Sequence, residues 1–135
     1  MIEKAIRARL LADGTVSGLV KTRVYTGTMP QRPTFPLITL TKVDKVSALT
    51  LDRAVGPNQV RVQVDCWDDS VDGVRDLAEA VNGNDSQSSP GALHGFAGPS
   101  GGEELQLVRL VGERSTEYEP DTKLYRVGAD YIAHL

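Results

Sequence analysis

The stretch Gln59-Val60-Arg61-Val62-Gln63-Val64-Asp65-Cys66-Trp67 alternates with a period of two. Successive side chains of a strand point to opposite faces, so Val60, Val62, Val64 and Cys66 share one side while Arg61, Gln63, Asp65 and Trp67 share the other. One face is predicted to be core and the other wetter. A second alternation closes the chain: Tyr125, Val127, Ala129, Tyr131, Ala133 and Leu135 against Leu124, Arg126, Gly128, Asp130, Ile132 and His134, which predicts a long final strand. Leu37 to Val43, rich in β-branched residues, reads as another strand. Leu105 to Val111 reads as a fourth, whose alternation slips between Leu107 and Val108, as a bulge or burial on both sides would require.

Helical spacing flanks these strands. Ile2, Ile6 and Leu10 recur every four residues with Ala5 beside them, predicting a short amphipathic helix that stops by Asp13-Gly14. Ser70 is a natural N-cap, and Val71, Val74, Leu77, Ala78 and Val81 recur at helical spacing up to Asn82-Gly83. Between the first helix and the first strand, Pro30, Pro33 and Pro36 bias residues 15–36 toward an extended, non-helical arm. The resulting order predicts an α+β fold, a mainly antiparallel sheet of about four strands covered by two helices, as a single domain over residues 1–135.

Two connections stand out. The one from Asp44 to Asn58 is a long hairpin arm or a loop, and long excursions often carry contacts. The other lies within residues 83–103: between Ser86 and Gly102, eleven of seventeen residues are Gly, Ser or Pro, which predicts a flexible loop with Leu93 and Phe96 pinning its middle.

The chain has 135 residues, 15 Lys and Arg against 18 Asp and Glu, and a formal net charge of -3. That balance disfavours a protein holding DNA by counterion release. The single cysteine, Cys66, has no internal disulfide partner, Glu3, Lys4, Arg7 and Arg9 stand where a signal peptide would be apolar, and no apolar run is long enough to span a bilayer. A cytosolic chain with no membrane contact is the expectation.

Each constellation that could carry chemistry has a plainer reading. Asp68, Ser70, Asp72 and Glu79, with Gly73 at the sixth place, match a calcium loop, but a period-two strand precedes them where such a loop needs a helix. Carboxylates at a helix N-terminus explain the same residues. Asp121 and Lys123 are fragments of an acid-x-lysine metal pattern without a further acidic ligand, and Glu119-Pro120-Asp121-Thr122 reads as a turn. His94, His134 and Cys66 assemble no nucleophile and base, and a thiol among valines behaves as a small hydrophobe. Gly98-Pro99-Ser100-Gly101-Gly102 lacks the helix and lysine of a phosphate loop. Trp67, a large aromatic on the wetter strand face, is an interface candidate or equally a plain second-layer core contact.

Several segments together resemble the tail-completion, or tail-terminator, family of long-tailed bacteriophages and prophages. They are Arg23-Val24-Tyr25, the approach to Phe35-Pro36-Leu37-Ile38, Arg61 to Trp67, Ala92 to Gly98, Tyr118 to Arg126, and Asp130-Tyr131, in that order along almost the whole chain. Asn82 to Ser89 departs from the pattern. The resemblance implies a non-enzymatic virion protein without cofactors, assembled in the host cytoplasm. It would form a ring, typically a hexamer, on the head-proximal end of the tail tube. Its partners would be further copies of itself, the tail tube protein and the head-tail connector protein, with DNA passing through the lumen without specific binding. A cyclic ring needs two different patches meeting head to tail. The candidates are the arm residues Leu49, Leu51, Asp52 and Arg53 and the strand-face residues Arg61, Gln63 and Trp67. A head-completion or neck adaptor protein and, more distantly, a calcium-binding module or a small hydrolase are the competing readings.

Overall fold

The computed structural model describes residues 2–46, 59–84 and 91–135. The core strand predicted from the alternation runs Gln59–Asp68 (β3), and Val60, Val62, Val64 and Cys66 are buried on one face as expected. Its neighbours are β2 (Leu37–Val46) and β8 (Leu124–His134), both antiparallel to it, with Cys66 opposite Ile38 on one side and Val127 on the other. β6 (Leu107–Glu113) and β7 (Glu117–Glu119) pair with successive parts of β8.

The sheet is larger than expected and mixed. β1 (Val24–Thr26) lies parallel to β2, giving six strands in the order β1-β2-β3-β8-β6 with β7 also on β8. Three-residue strands such as β1 and β7 are too short to carry a period of two, which is why the sequence shows neither. β2 also continues three residues beyond Val43, through a bulge between Lys42 and Asp44, so the expected arm from residue 44 begins as strand.

There are three helices among the described residues. α1 (Ile2–Ala12) buries Ile2, Ala5, Ile6 and Leu10, and α3 (Val71–Asn82) buries Val74, Leu77, Ala78 and Val81, both with the predicted faces. Between them α2 (Gly14–Val20) replaces the first part of the expected extended arm. Asp13, taken as part of a helix stop, caps the next helix: its Oδ1 accepts from the Thr15 and Val16 amides at 3.0 and 3.1 Å. Val16 and Val20, four residues apart, supply the buried stripe. The prolines begin only after β1, where the chain does run without helix.

The glycine-rich stretch also differs from expectation. Residues 91–95 form a turn, then β4 (Gly98–Ser100) and β5 (Glu103–Leu105) make a small hairpin separate from the main sheet. Leu93 and Leu105 are buried, and Ser100 Oγ donates to the Ala5 carbonyl of α1 at 2.7 Å. Gly101, at φ +57°, permits this seat, since a Cβ there would stand 2.8 Å from Ala5 Cα and the Lys4 carbonyl oxygen. The expected strand 105–111 is in fact two, divided at Gln106, whose amide turns to the His134 carbonyl at 2.7 Å. Its bulge lies further on, between Leu110 and Gly112.

All three helices and one sheet face share a single apolar cluster, with Tyr131 of β8 the largest fully buried side chain. The Tyr131 hydroxyl reaches Asn82 Oδ1 and the Val81 carbonyl, while Asn82 Nδ2 donates to Glu113 Oε2 at 2.7 Å. This chain of contacts satisfies polar groups buried at the end of α3 and ties it to β8 and β6.

Candidate assembly surface

With the helices on the Val60 side, none of the described helices covers the opposite face of β3 and its neighbours. Register places Arg61, Gln63 and Trp67 there together, beside Asp130 and Arg126 of β8 and Thr39 and Thr41 of β2. Asp130 accepts from Arg61 Nη2 at 3.0 Å and from Arg114 Nη2 at 3.0 and 3.1 Å. Gln63 Nε2 spans both oxygens of Asp65 at 3.0 and 3.1 Å. Trp67 donates its indole N–H to Thr39 Oγ1 at 3.0 Å, and the Arg126 guanidinium stands 5.5 Å from its ring centre. Arg126 Nη2 in turn donates to Glu117 at 2.7 Å.

Asp65 is the surprise of this face. It belongs to the wetter set by alternation, yet it is buried. Gly128 lies directly opposite it on β8, and a Cβ at Gly128 would stand 2.7 Å from both Asp65 Oδ1 and Arg114 Nη1. The missing side chain leaves the space into which the carboxylate and the guanidinium fold. Burial raises the Asp65 pKa, opposed by the Gln63 hydrogen bond and by the charges of Arg126 and Arg114. Arg126 Nε is buried without an acceptor among the described residues.

Of the expected interface residues, the structure thus gathers Arg61, Gln63 and Trp67 on one face. Leu49, Leu51, Asp52 and Arg53 lie outside the described residues.

Other candidates find structural explanations. Ser70 Oγ accepts from the Gly73 amide at 3.0 Å as the cap of α3, and Asp68 Oδ1 accepts from the Asp69 amide at 2.7 Å. A Cβ at Gly73 would fall 1.9 Å from Asp68 Oδ2 and 2.7 Å from Ser70 Oγ, so this glycine makes room for the cap. Asp72 and Glu79 both lie on α3, seven residues or about 10 Å apart along its axis, which leaves no loop to wrap a cation. Among the described residues no group of three or more His, Cys, Asp or Glu is placed to hold a metal ion. Residues 120–123 form the expected turn, closed by the Lys123 amide on the Glu119 carbonyl at 2.8 Å.

Cys66 is fully buried, and burial pushes its thiol pKa up. Its β8 partner is Val127, whereas His134 sits at the far end of that strand. His94 is occupied elsewhere: its Nδ1 accepts from the Leu110 amide at 3.0 Å, while Gly95 and Phe96 exchange hydrogen bonds with Val108 at 2.8 Å. The 93–96 turn thereby covers the outer edge of β6. At the other edge, Arg7 Nε donates to the Val24 carbonyl at 3.0 Å. These edge caps escape sequence reasoning, because neither His94 nor Arg7 carries a local signature of its distant partner.

Residues 4–135 match the sequence profile of the family described as Tail completion protein gp17. A chain from a solved structure, "Virion of native gene transfer agent (GTA) particle", is 18% identical and superposes with a TM-score of 0.74, covering 98% of this chain and 92% of that one; it shares the fold. No curated protein sequence matches. With all but its first three residues inside the family profile, the chain belongs to the tail completion protein gp17 family.

Proposed function

We propose that the protein is a tail terminator: a ring, hexameric in the simplest case, seated on the head-proximal end of the tail tube. There it stops tube polymerisation and presents the surface that joins the head. The family match over residues 4–135 carries this reading, since it covers all of the chain but its first three residues rather than one motif. The likeness to a chain of a gene transfer agent virion supports a place in a phage-like particle. The role is one of shape. The strand face away from the helices carries Arg61, Gln63 and Trp67 held by neighbouring side chains, and such preorganised polar groups lose little side-chain freedom on docking. The tube protein and the head-tail connector are the partners, and DNA crosses the lumen unretained. Six chains of formal charge -3 bring -18 to the ring, which disfavours capture of the passing phosphates.

Electron microscopy of particles made without this protein tests the reading. Overlong, headless tubes are the expected result. Tails of normal length that fail to join heads would assign the protein to the neck as an adaptor and overturn termination.

A further inference from the structure

The charges of this chain are sorted by position in the fold. Residues 1–43 carry seven Lys and Arg against Glu3 and Asp13. Lys21, Arg23, Arg32 and Lys42 follow α2, the β1–β2 connection and β2, around the edge strand β1. Lys21, Arg32 and Lys42 are exposed. Arg7 and Arg23 spend their hydrogen bonds on backbone carbonyls, of Val24 and Thr22 and of Pro36 and Leu19 respectively. Among the described residues none of these cations meets a carboxylate, for the ion pairs there are Arg61 and Arg114 with Asp130 and Arg126 with Glu117.

Along α3 and at the far end of the sheet the balance is reversed. Asp69, Asp72, Asp76 and Glu79 are spaced by three, four and three residues along the exposed stripe of α3 and its entry. α3 abuts the β6–β7 connection across a cleft of about 460 Å³ whose charged lining is mixed, Glu79 and Glu113 with Arg75 and Arg114. Glu119 at the end of β7 and Asp121 just beyond it continue the acidic run, and β7 pairs with the start of β8, where Tyr125 lies opposite Asp68 at the mouth of α3. Arg75, Arg109, Arg114 and Lys123 interrupt this flank without balancing it, and Arg114 is already held by Asp130.

We propose that neighbouring copies join head to tail, the cationic β1–β2 edge of one against the anionic flank formed by α3, β6 and β7 of the next. The inference rests on the ring reading above and specifies its interface. A closed ring requires two unlike, mutually complementary patches on each copy; one lies at the β1 end of the sheet, and the other runs from α3, packed over β3 and β8, to β6 and β7 at the far end. The outer edges of β1 and β6 are already capped from within the chain, by Arg7 and by the His94 turn, so at these two strands opposite charge rather than a continued backbone ladder selects the neighbour.

Native mass spectrometry over a concentration range, with thermal melts to verify folding, tests the interface by charge reversal. Arg32→Glu with Lys42→Glu alters one patch; Glu79→Lys with Glu119→Lys and Asp121→Lys alters the other. Each set alone is expected to raise the assembly midpoint about tenfold or more, and the chain carrying both sets is expected to recover it. Added salt should weaken the wild-type ring. The neutral set Arg32→Gln with Lys42→Gln gives the same direction at smaller amplitude if a reversal impairs folding. Wild-type ring formation with either set assembling normally overturns this interface alone, as does failure of the folded double-reversed chain to recover. A wild-type chain that forms no ring, free or on purified tail tubes, overturns the ring reading itself.

Discussion

Gly101 and Gly102 offer a paired experiment on the seat of the β4–β5 hairpin. Both have positive φ, +57° and +87°, so an alanine at either suffers left-handed strain of about 1–2 kcal/mol. Only Gly101 also faces a neighbour: its added Cβ would meet Ala5 Cα and the Lys4 carbonyl oxygen at 2.8 Å and Ala5 N at 3.0 Å, all of them α1 backbone. Nothing lies within 4 Å of the same position on Gly102. Backbone cannot rotate away as a side-chain tip can, so overpacking adds about 1–3 kcal/mol. Lifting the hairpin instead sacrifices the 2.7 Å bond from Ser100 to Ala5, about 1 kcal/mol. Gly101→Ala is therefore expected to be less stable than Gly102→Ala by about 1–3 kcal/mol, or several degrees in melting temperature. Urea unfolding followed by circular dichroism measures the difference. Equal destabilisation of the two variants would refute the seating of the hairpin on α1.

Two further tests address buried and edge groups. Because burial raises the Asp65 pKa, the folded protein binds this proton more tightly than the unfolded chain, and stability falls as pH climbs from about 4 through the raised value. Asp68, raised first by burial, contributes in the same direction. Asp65→Asn should flatten that decline in urea titrations between pH 4 and 7, and an unchanged slope would contradict the assignment. His94→Ala strips the acceptor from the Leu110 amide, with an expected loss of about 1–2 kcal/mol and faster aggregation through the bared β6 edge. Light scattering indistinguishable from wild type would argue against edge protection.

Where patterns were long, the sequence was legible. Nine alternating residues at 59–67 located β3 and its buried face, and Ser70 with the stripe Val74, Leu77, Ala78, Val81 located α3. Asp13 misled because the residue types that end one helix also begin another, and only the buried spacing of Val16 and Val20 decides between them. The glycine-rich stretch looked too poor in packing groups to order itself, yet Gly101 orders its hairpin by the side chain it lacks. Arg61, Gln63 and Trp67 were placed on one face by local periodicity. Their partners were not, since Asp130 is 69 residues from Arg61 and Thr39 is 28 from Trp67, and no local pattern encodes such pairings.

β8 holds β3 on one flank and β6 and β7 on the other, and its Tyr131 lies at the heart of the apolar cluster. A polypeptide halted anywhere before residue 124 therefore lacks the hub that both halves of the molecule share. Fragments of that kind have nothing to close around, so a truncated chain is lost outright rather than left slightly defective.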